Sequence, residues 1–191
     1  MGRREDQHLI FCQSLYVEEI NTEPLHSPTE LSNIKLSERV SQGLDGNLYF
    51  SNLLEEDSLE DYTCYAQLPE TRTIIQKEPI SLKVTTSNSV RFRKPRLLHP
   101  RGKGSSSRLA LQSRPLHLEC IAEGLPTPSV HWERMDGNLP AGRVSYQNFN
   151  KTLTVHDVAE EDDGEYRCVV INGQGRVTHT YSVTVEGEYR N

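Results

Sequence analysis

The stretch Asp162-Asp163-Gly164-Glu165-Tyr166-Arg167-Cys168 carries the strongest structural signal in this chain of 191 residues. Upstream of it stand Cys120 and, twelve residues later, Trp132, which is the only tryptophan. Two cysteines 48 residues apart, a tryptophan between them and a tyrosine two residues before the second indicate a disulfide-bridged domain of two packed sheets.

These spacings are typical of a sandwich of the immunoglobulin type. Cys120 and Cys168 are expected to bridge the sheets from strands B and F, with the indole of Trp132 packed on the sulfurs. Closing this loop should stabilise the domain by roughly 4 kcal/mol. Two unpaired buried thiols are the alternative, but they would make the placement of Trp132 and Tyr166 a coincidence. We therefore expect an oxidising, extracellular compartment.

The same stretch predicts a tight turn ahead of Cys168. Tyr166 fits a tyrosine corner, in which the hydroxyl bonds to upstream backbone, and Asp162 and Gly164 complete the signature. Calcium binding is the alternative for the acidic run at 160–163, but the run lacks the spaced oxygen ligands and the glycine of a calcium loop. A structural turn is the better interpretation.

An internal repeat divides the chain. Residues 48–57 align with residues 153–162 at an offset of 105, and each copy runs into a Tyr-x-Cys triplet, at 62–64 and 166–168. In the second copy, Leu118 and Cys120 alternate with His117 and Glu119, which predicts a strand with those two polar side chains on its solvent face. The sequence predicts an all-β chain of two tandem sandwiches.

The first copy departs from the pattern. Cys12 lies 52 residues before Cys64, and Pro24 stands where the tryptophan would be. The first sandwich is either a degenerate one bridged by Cys12 and Cys64, or one whose front strands are replaced by unrelated residues. We favour the second alternative, so the first sandwich is expected to be incomplete.

Several segments resemble one family, the neural cell adhesion molecules that include L1, neurofascin and neuroglian. Similar to their third immunoglobulin domain are Leu-Glu-Cys-Ile-Ala-Glu-Gly-Leu-Pro-Thr-Pro at 118–128, Tyr-Gln-Asn-Phe-Asn-Lys-Thr-Leu at 146–153 and Glu-Glu-Asp-Asp-Gly-Glu-Tyr-Arg-Cys at 160–168. Similar to their second domain are Ser-Glu-Arg-Val-Ser at 37–41 and Asp-Gly-Asn-Leu-Tyr-Phe at 45–50. The resemblance covers residues 33–186.

The resemblance implies two I-set sandwiches from the extracellular face of the plasma membrane. It implies homophilic or heterophilic binding to cell-surface proteins and roles in axon growth and guidance. It also implies a horseshoe in which the second domain folds back against the third, with the linker at 87–96 taking part. An ectodomain piece of a receptor enzyme is an alternative from another class.

The expected organisation follows from these matches. A partial domain spans residues 33–86, a basic linker spans 87–96, and a complete domain spans 90–186. Residues 1–32 and the tail at 187–191 lie outside the resemblance and are doubtful as parts of the family. The first residues have no apolar run long enough for a signal peptide, and no stretch is long enough to span a membrane.

A basic strip separates two acidic blocks. Residues 85–108 carry seven basic and no acidic side chains, whereas residues 1–84 carry 7 basic and 15 acidic ones. Heparan sulfate or another polyanion could bind there, with candidate contacts at Arg91, Arg93, Lys94 and Arg96. An exposed linker and strand edge is the simpler interpretation, and the family resemblance implies a strand at 95–98 and a loop at 102–107. Apart from Phe92, the strip lacks the interleaved aromatic residues expected for nucleic-acid recognition.

Chemistry-bearing motifs are few. Asn150-Lys-Thr is the single glycosylation sequon and precedes a predicted strand, so a glycan on an exposed loop is expected. His131, His156 and His179 are scattered along strands without a nucleophile, and we interpret them as surface or edge residues. The four cysteines stand far apart without a Cys-x-x-Cys pair, which argues against zinc. We expect neither catalysis, nor a cofactor, nor a metal.

Overall fold

The computed structural model describes residues 34–68, 73–85, 90–102 and 104–187. The regular structure of these residues consists of β-strands and two short 3-10 helices, so the prediction of an all-β chain is confirmed. The strands fall into a first unit, residues 40–82, and a second domain, residues 93–186. Where the domains begin and end beyond these strands stays a prediction.

The second domain is a sandwich of two sheets. One sheet has the strand order β11 (Ser129–Arg134), β14 (Gly164–Asn172), β15 (Gly175–Glu186) and β8 (Ser105–Leu111). The other has the order β12 (Val144–Gln147), β13 (Thr152–Val155) and β9 (Leu116–Glu119), and β10 (Ile121–Leu125) continues β9 and pairs with β7 (Arg93–His99). Neighbouring strands are antiparallel, except that β8 runs parallel to β15.

One apolar cluster fills the space between these sheets. The disulfide between Cys120 and Cys168 joins the sheets there, as the spacing predicted. Trp132 lies in the same cluster and stacks on Tyr181, with 6.1 Å between the ring centroids. Alternate side chains of β14 point inward because successive residues of a strand face opposite sides, and Tyr166 is among those fully buried.

The first unit has much less regular structure. Its strands are β1 (Val40–Gln42), β2 (Leu48–Phe50), β3 (Leu59–Tyr62), β4 (Tyr65–Leu68), β5 (Thr73–Gln76) and β6 (Ile80–Leu82). They pair antiparallel as β1 with β2, β3 with β6, and β4 with β5. Among the described residues its buried apolar cluster contains only Val40, Leu48, Tyr62 and Leu82. Whether this sandwich is complete stays a prediction.

The internal repeat is visible as the same corner in both units. A 3-10 helix, Glu55–Asp57 or Glu160–Asp162, precedes each tyrosine. Each tyrosine hydroxyl donates a hydrogen bond of 2.9 Å to the aspartate carbonyl, Tyr62 to Asp57 and Tyr166 to Asp162. Each aspartate carboxylate accepts two bonds of 2.6 and 2.9 Å from one arginine, which is Arg39 in the first unit and Arg143 in the second.

Two expectations about the second domain are wrong. The segment 102–107 is not entirely a loop, because β8 begins at Ser105 and pairs with β15. His179 is not a surface residue, since it is 1% exposed and its ring packs edge-on against Tyr181. Both have one cause: β8 covers the side of β15 and brings the Ser106 hydroxyl within 2.8 Å of His179 Nε2. His131 and His156 are exposed as expected.

Replacing Tyr166 by Phe tests the corner. The change keeps the ring but removes the donor to the Asp162 carbonyl, which leaves a buried acceptor without its partner. We expect the free energy of unfolding to fall by about 1–3 kcal/mol, measured by urea denaturation with Trp132 fluorescence. Tyr146→Phe at an exposed position is the control, with an expected change below about 0.5 kcal/mol. An unaltered midpoint for Tyr166→Phe would contradict a stabilising role for the corner.

Candidate functional site

The first unit lies against the second domain along a contact that we call the seam. On one side of the seam are residues 38–52, which include β1 and β2. On the other side are residues 119–124 and 148–152, together with His99 on β7. The seam therefore covers the outer face of the sheet that contains β7, β9, β10 and β13.

Lys151 is a buried polar contact across the seam. Lys151 is 2% exposed, and its Nζ donates to the Glu38 carbonyl oxygen at 2.6 Å and to the Ser41 hydroxyl. Burial lowers the pKa of Lys151 to about 8. A buried ammonium group is costly unless its donors are satisfied, so these two contacts favour one placement of the first unit.

Glutamate 119 approaches the seam from the second domain. Its carboxylate accepts the Leu44 backbone N–H at 3.0 and 3.1 Å and the Thr152 hydroxyl at 3.2 Å. Burial raises the pKa of Glu119 to about 7. The sequence placed Glu119 on a solvent face, and that expectation is wrong because the first unit covers this face of β9.

Backbone and apolar contacts extend the seam along β10. The Gly124 N–H donates to the Ser51 carbonyl oxygen at 3.0 Å, and the Ser51 hydroxyl donates to the Ala122 carbonyl oxygen at 2.8 Å. Beside them Tyr49 forms a buried cluster with two residues of the second domain, Leu98 and Ile121. Apolar burial thus adds a non-directional attraction to directional hydrogen bonds.

A tight turn between β1 and β2 inserts into the seam. Asp45 accepts hydrogen bonds from the Tyr49 hydroxyl at 2.6 Å and from Asn47 at 2.8 and 3.0 Å. Burial by itself would raise the pKa of Asp45, but these hydrogen bonds hold it below its ordinary value. The His99 ring lies 3.8 Å from Asp45 and 3.9 Å from Glu119, and burial lowers the pKa of His99.

Sequence reasoning missed the residues of the seam. Glu119, Lys151 and Leu44 were not predicted as site residues, although the resemblance implied that the two domains fold together. The signal was absent because strand alternation assigns one face of β9 to solvent and says nothing of another part of the chain that covers it. The partners of Glu119 and Lys151 lie 75 and 113 residues away along the chain.

Asn150 lies at the edge of the seam. Its side chain is exposed, and its carbonyl oxygen accepts the Trp132 Nε1 proton at 2.8 Å. Asn148, Phe149 and Asn150 all have positive φ, between 52° and 63°, so this turn is left-handed throughout. Exposure is compatible with the predicted glycan, whose attachment stays a prediction.

The basic strip is partly occupied by an internal ion pair. Arg96 Nε bonds to the Glu123 carboxylate, and Arg93 Nη1 lies 4.0 Å from the same group. Arg91 and Lys94 are exposed. Of the four predicted contacts, Arg93 and Arg96 therefore lie beside a carboxylate, although Arg96 is also exposed.

The remaining predictions concern the first cysteine pair, metal binding and a membrane span. Cys64 is buried and is not a free thiol, but Cys12 lies outside the described residues, so their pairing stays a prediction. Within the described ranges no group of three or more His, Cys, Asp or Glu side chains is arranged to hold a metal ion. The same residues contain no helix long and apolar enough to cross a membrane.

The sequence is similar to those of known proteins. The immunoglobulin I-set domain model matches residues 107–185. Neural cell adhesion molecule L1 of Homo sapiens is 56% identical over 158 residues, which is 83% of this chain and 12% of that protein. Neuronal-glial cell adhesion molecule of Gallus gallus is 54% identical over 158 residues, with the same coverage of both chains. This chain belongs to the L1 family of neural cell adhesion molecules.

The family assignment confirms the predicted resemblance. The chain spans about 12% of the length of these L1-family relatives. Solved structures agree on the fold: immunoglobulin domains 1–4 of Sidekick-1 give a TM-score of 0.69 at 20% identity, over 83% of this chain and 41% of that one. The insect immune protein hemolin gives 0.67 at 24% identity, over 80% and 40%. Both belong to the all-β immunoglobulin class that the sequence predicted.

Replacing Gly43 by Ala should open the seam. A Cβ at Gly43 would lie 2.8 Å from Tyr49 Cε2 and 3.3 Å from Glu119 Oε2, so the turn must move. We expect closing to weaken by about 1–3 kcal/mol, measured as faster hydrogen exchange of the Leu44 amide. Gly137→Ala is the matched control because its Cβ would meet no atom within 4 Å. Equal Leu44 exchange in the two variants would contradict close packing at this turn.

Proposed function

We propose that this chain acts as a recognition module of a neural cell-surface adhesion protein, on the extracellular face of the plasma membrane. It binds proteins of neighbouring cells, either homophilically or heterophilically, and takes part in axon growth and guidance. The observation that carries the proposal is the seam, in a chain whose L1-family relatives are named as adhesion molecules.

The seam suits a recognition role because it holds two sandwiches in one relative placement. Hydrogen bonds from Lys151, to Glu119 and between Gly124 and Ser51 each span the two units. A partner that contacts both units then binds a surface that is already ordered, and less free energy is lost to ordering on association.

The face left open is the outer side of the sheet formed by β11, β14, β15 and β8. It presents charged side chains of both signs, since Arg167 lies 3.7 Å from Glu133. It also presents exposed apolar side chains such as Ile171. Recognition surfaces of proteins combine polar and apolar side chains in this way. We propose that a protein partner binds a surface that spans both units and extends to this face, in line with the extracellular setting that the Cys120–Cys168 disulfide favours.

Polyanion binding is the less favoured alternative. Glu123 holds Arg96 and lies near Arg93, so half of the predicted cationic contacts already face a carboxylate. The family relatives are also adhesion molecules and not receptor enzymes. A heparan sulfate role would rest mainly on Arg91 and Lys94.

Bead aggregation tests the adhesive role. The full chain would be coupled through a C-terminal tag to two colours of fluorescent bead, and mixed clusters would be counted by flow cytometry. Beads would also be added to cells that display human L1. We expect mixed clusters or cell binding at micromolar chain concentration, and a loss of at least 5-fold for Gly43→Ala, because the seam orders the binding surface.

Gly137→Ala beads are the matched control and should behave as the unmodified chain. Heparin at excess separates the two candidate functions, since it would disperse clusters held by a polyanion bridge and leave protein contacts intact. Beads that neither cluster nor bind the cells would contradict the proposed function.

A further inference from the structure

The carboxyl group of Glu119 has an unusual position. The residue is 3% exposed and lies on the outer face of β9, where the first unit covers it. Across the seam the Leu44 N–H donates to both of its oxygens, and on its own side the Thr152 hydroxyl donates to Oε1. The buried carboxyl group therefore exists in this environment only while the seam is closed.

The charged groups around Glu119 do not neutralise it closely. Lys151 directs its Nζ at Glu38 and Ser41 of the first unit. His99 Nε2 on β7 lies 3.9 Å from Glu119 Oε2, and Asp45 of the inserted turn adds a second negative charge beyond that ring. An ionised carboxylate buried without a close cation is unfavourable, and taking up a proton removes that penalty.

We propose that Glu119 takes up a proton as the seam closes, and that this carboxyl group thereby links the contact between the two units to pH near neutrality. The proposal concerns the seam alone and goes beyond the adhesive role. It stands on the geometry of a carboxyl group that one unit supplies and the other unit buries.

The direction of the effect follows from the pKa in the two states. Burial raises the pKa of Glu119 from 4.5 to about 7 in the closed seam, and opening returns the group to water and to its ordinary pKa. The closed state then binds the proton more tightly. The contribution of Glu119 to closing is fully present below the open-state pKa and is lost as pH rises through about 7.

Neighbouring groups act in the opposite direction. Burial lowers the pKa of Lys151 to about 8 and lowers the pKa of His99, so closing disfavours the charged form of both. Arg101 and Arg108 also lower the pKa of His99. The pKa of Asp45 lies below its ordinary value, so Asp45 stays ionised between pH 6 and 8 and does not contribute to the pH dependence there. The contribution of Glu119 to the pH dependence of closing is therefore measured by comparison with a variant of this residue at the same pH.

Glu119→Gln provides that comparison, because an amide is similar in shape to the protonated carboxyl group and does not titrate. Closing would be measured on the full chain as protection of the Leu44 and Gly124 amides from hydrogen exchange at pH 6 to 8. The Cys120 amide, which bonds to the Lys151 carbonyl oxygen within the second domain, is the internal reference. Taking the ratio of unmodified chain to variant at each pH cancels the intrinsic pH dependence of exchange.

We expect Glu119→Gln to close more tightly than the unmodified chain at pH 8. The ratio of their closing constants should shift by about 10-fold in favour of the unmodified chain between pH 8 and pH 6. Glu123→Gln is the matched control: Glu123 lies four residues along the same strand region and is also buried, but its carboxylate bonds to Arg96 of its own domain. The ratio of the closing constants of the unmodified chain and Glu123→Gln should be the same at every pH.

Three results would overturn the proposal. A constant ratio of closing constants for Glu119→Gln from pH 6 to pH 8 would contradict the proton linkage. The same pH response in Glu123→Gln would show that the loss of either carboxylate produces it. An unprotected Leu44 amide at every pH would remove the seam itself. None of these measurements uses a binding partner, so failure here is distinct from failure of the bead experiment.

Discussion

The disulfide between Cys120 and Cys168 is the constraint on which the rest of the structure depends. It ties β14 to the junction of β9 and β10 and fixes which side of each strand faces the core. Because neighbouring residues of a strand point to opposite faces, the pleat that turns Cys120 into the core turns Glu119 outward. The same strand therefore contributes one residue to the core and its neighbour to the seam.

The seam combines two kinds of interaction with different roles. The apolar cluster of Tyr49, Leu98 and Ile121 supplies attraction that is insensitive to direction. The polar contacts of Lys151 and Glu119 supply direction, since a buried charge is tolerated only where its partners are in place. A shifted arrangement of the two units would keep part of the apolar burial but lose these hydrogen bonds.

This division explains how a small first unit is placed against a larger domain. Its own described core is limited to a few residues, so part of its packing is provided by the outer face of the neighbouring sheet. The face that would meet water in an isolated sandwich becomes an internal surface. Such an arrangement agrees with the folded-back pair of domains that the family resemblance implied.

The sequence by itself determined the features that depend on local or periodic constraints. The spacing of Cys120, Trp132 and Cys168 predicted the bridged core, and the run before Tyr166 predicted the corner that both units share. These features are readable because a sandwich needs particular side chains at fixed intervals along its strands. The family followed from the same segments.

Only the tertiary structure decided that Glu119, Lys151 and His179 are buried. Alternation predicts which residues share a face, but it does not reveal whether distant residues cover that face. Glu119 and Lys151 became buried because a turn 75 residues away and a carbonyl group 113 residues away lie against them. His179 became buried because β8 pairs with β15. Burial by another part of the chain is a property of the assembled fold, and a periodic pattern in one strand does not contain it.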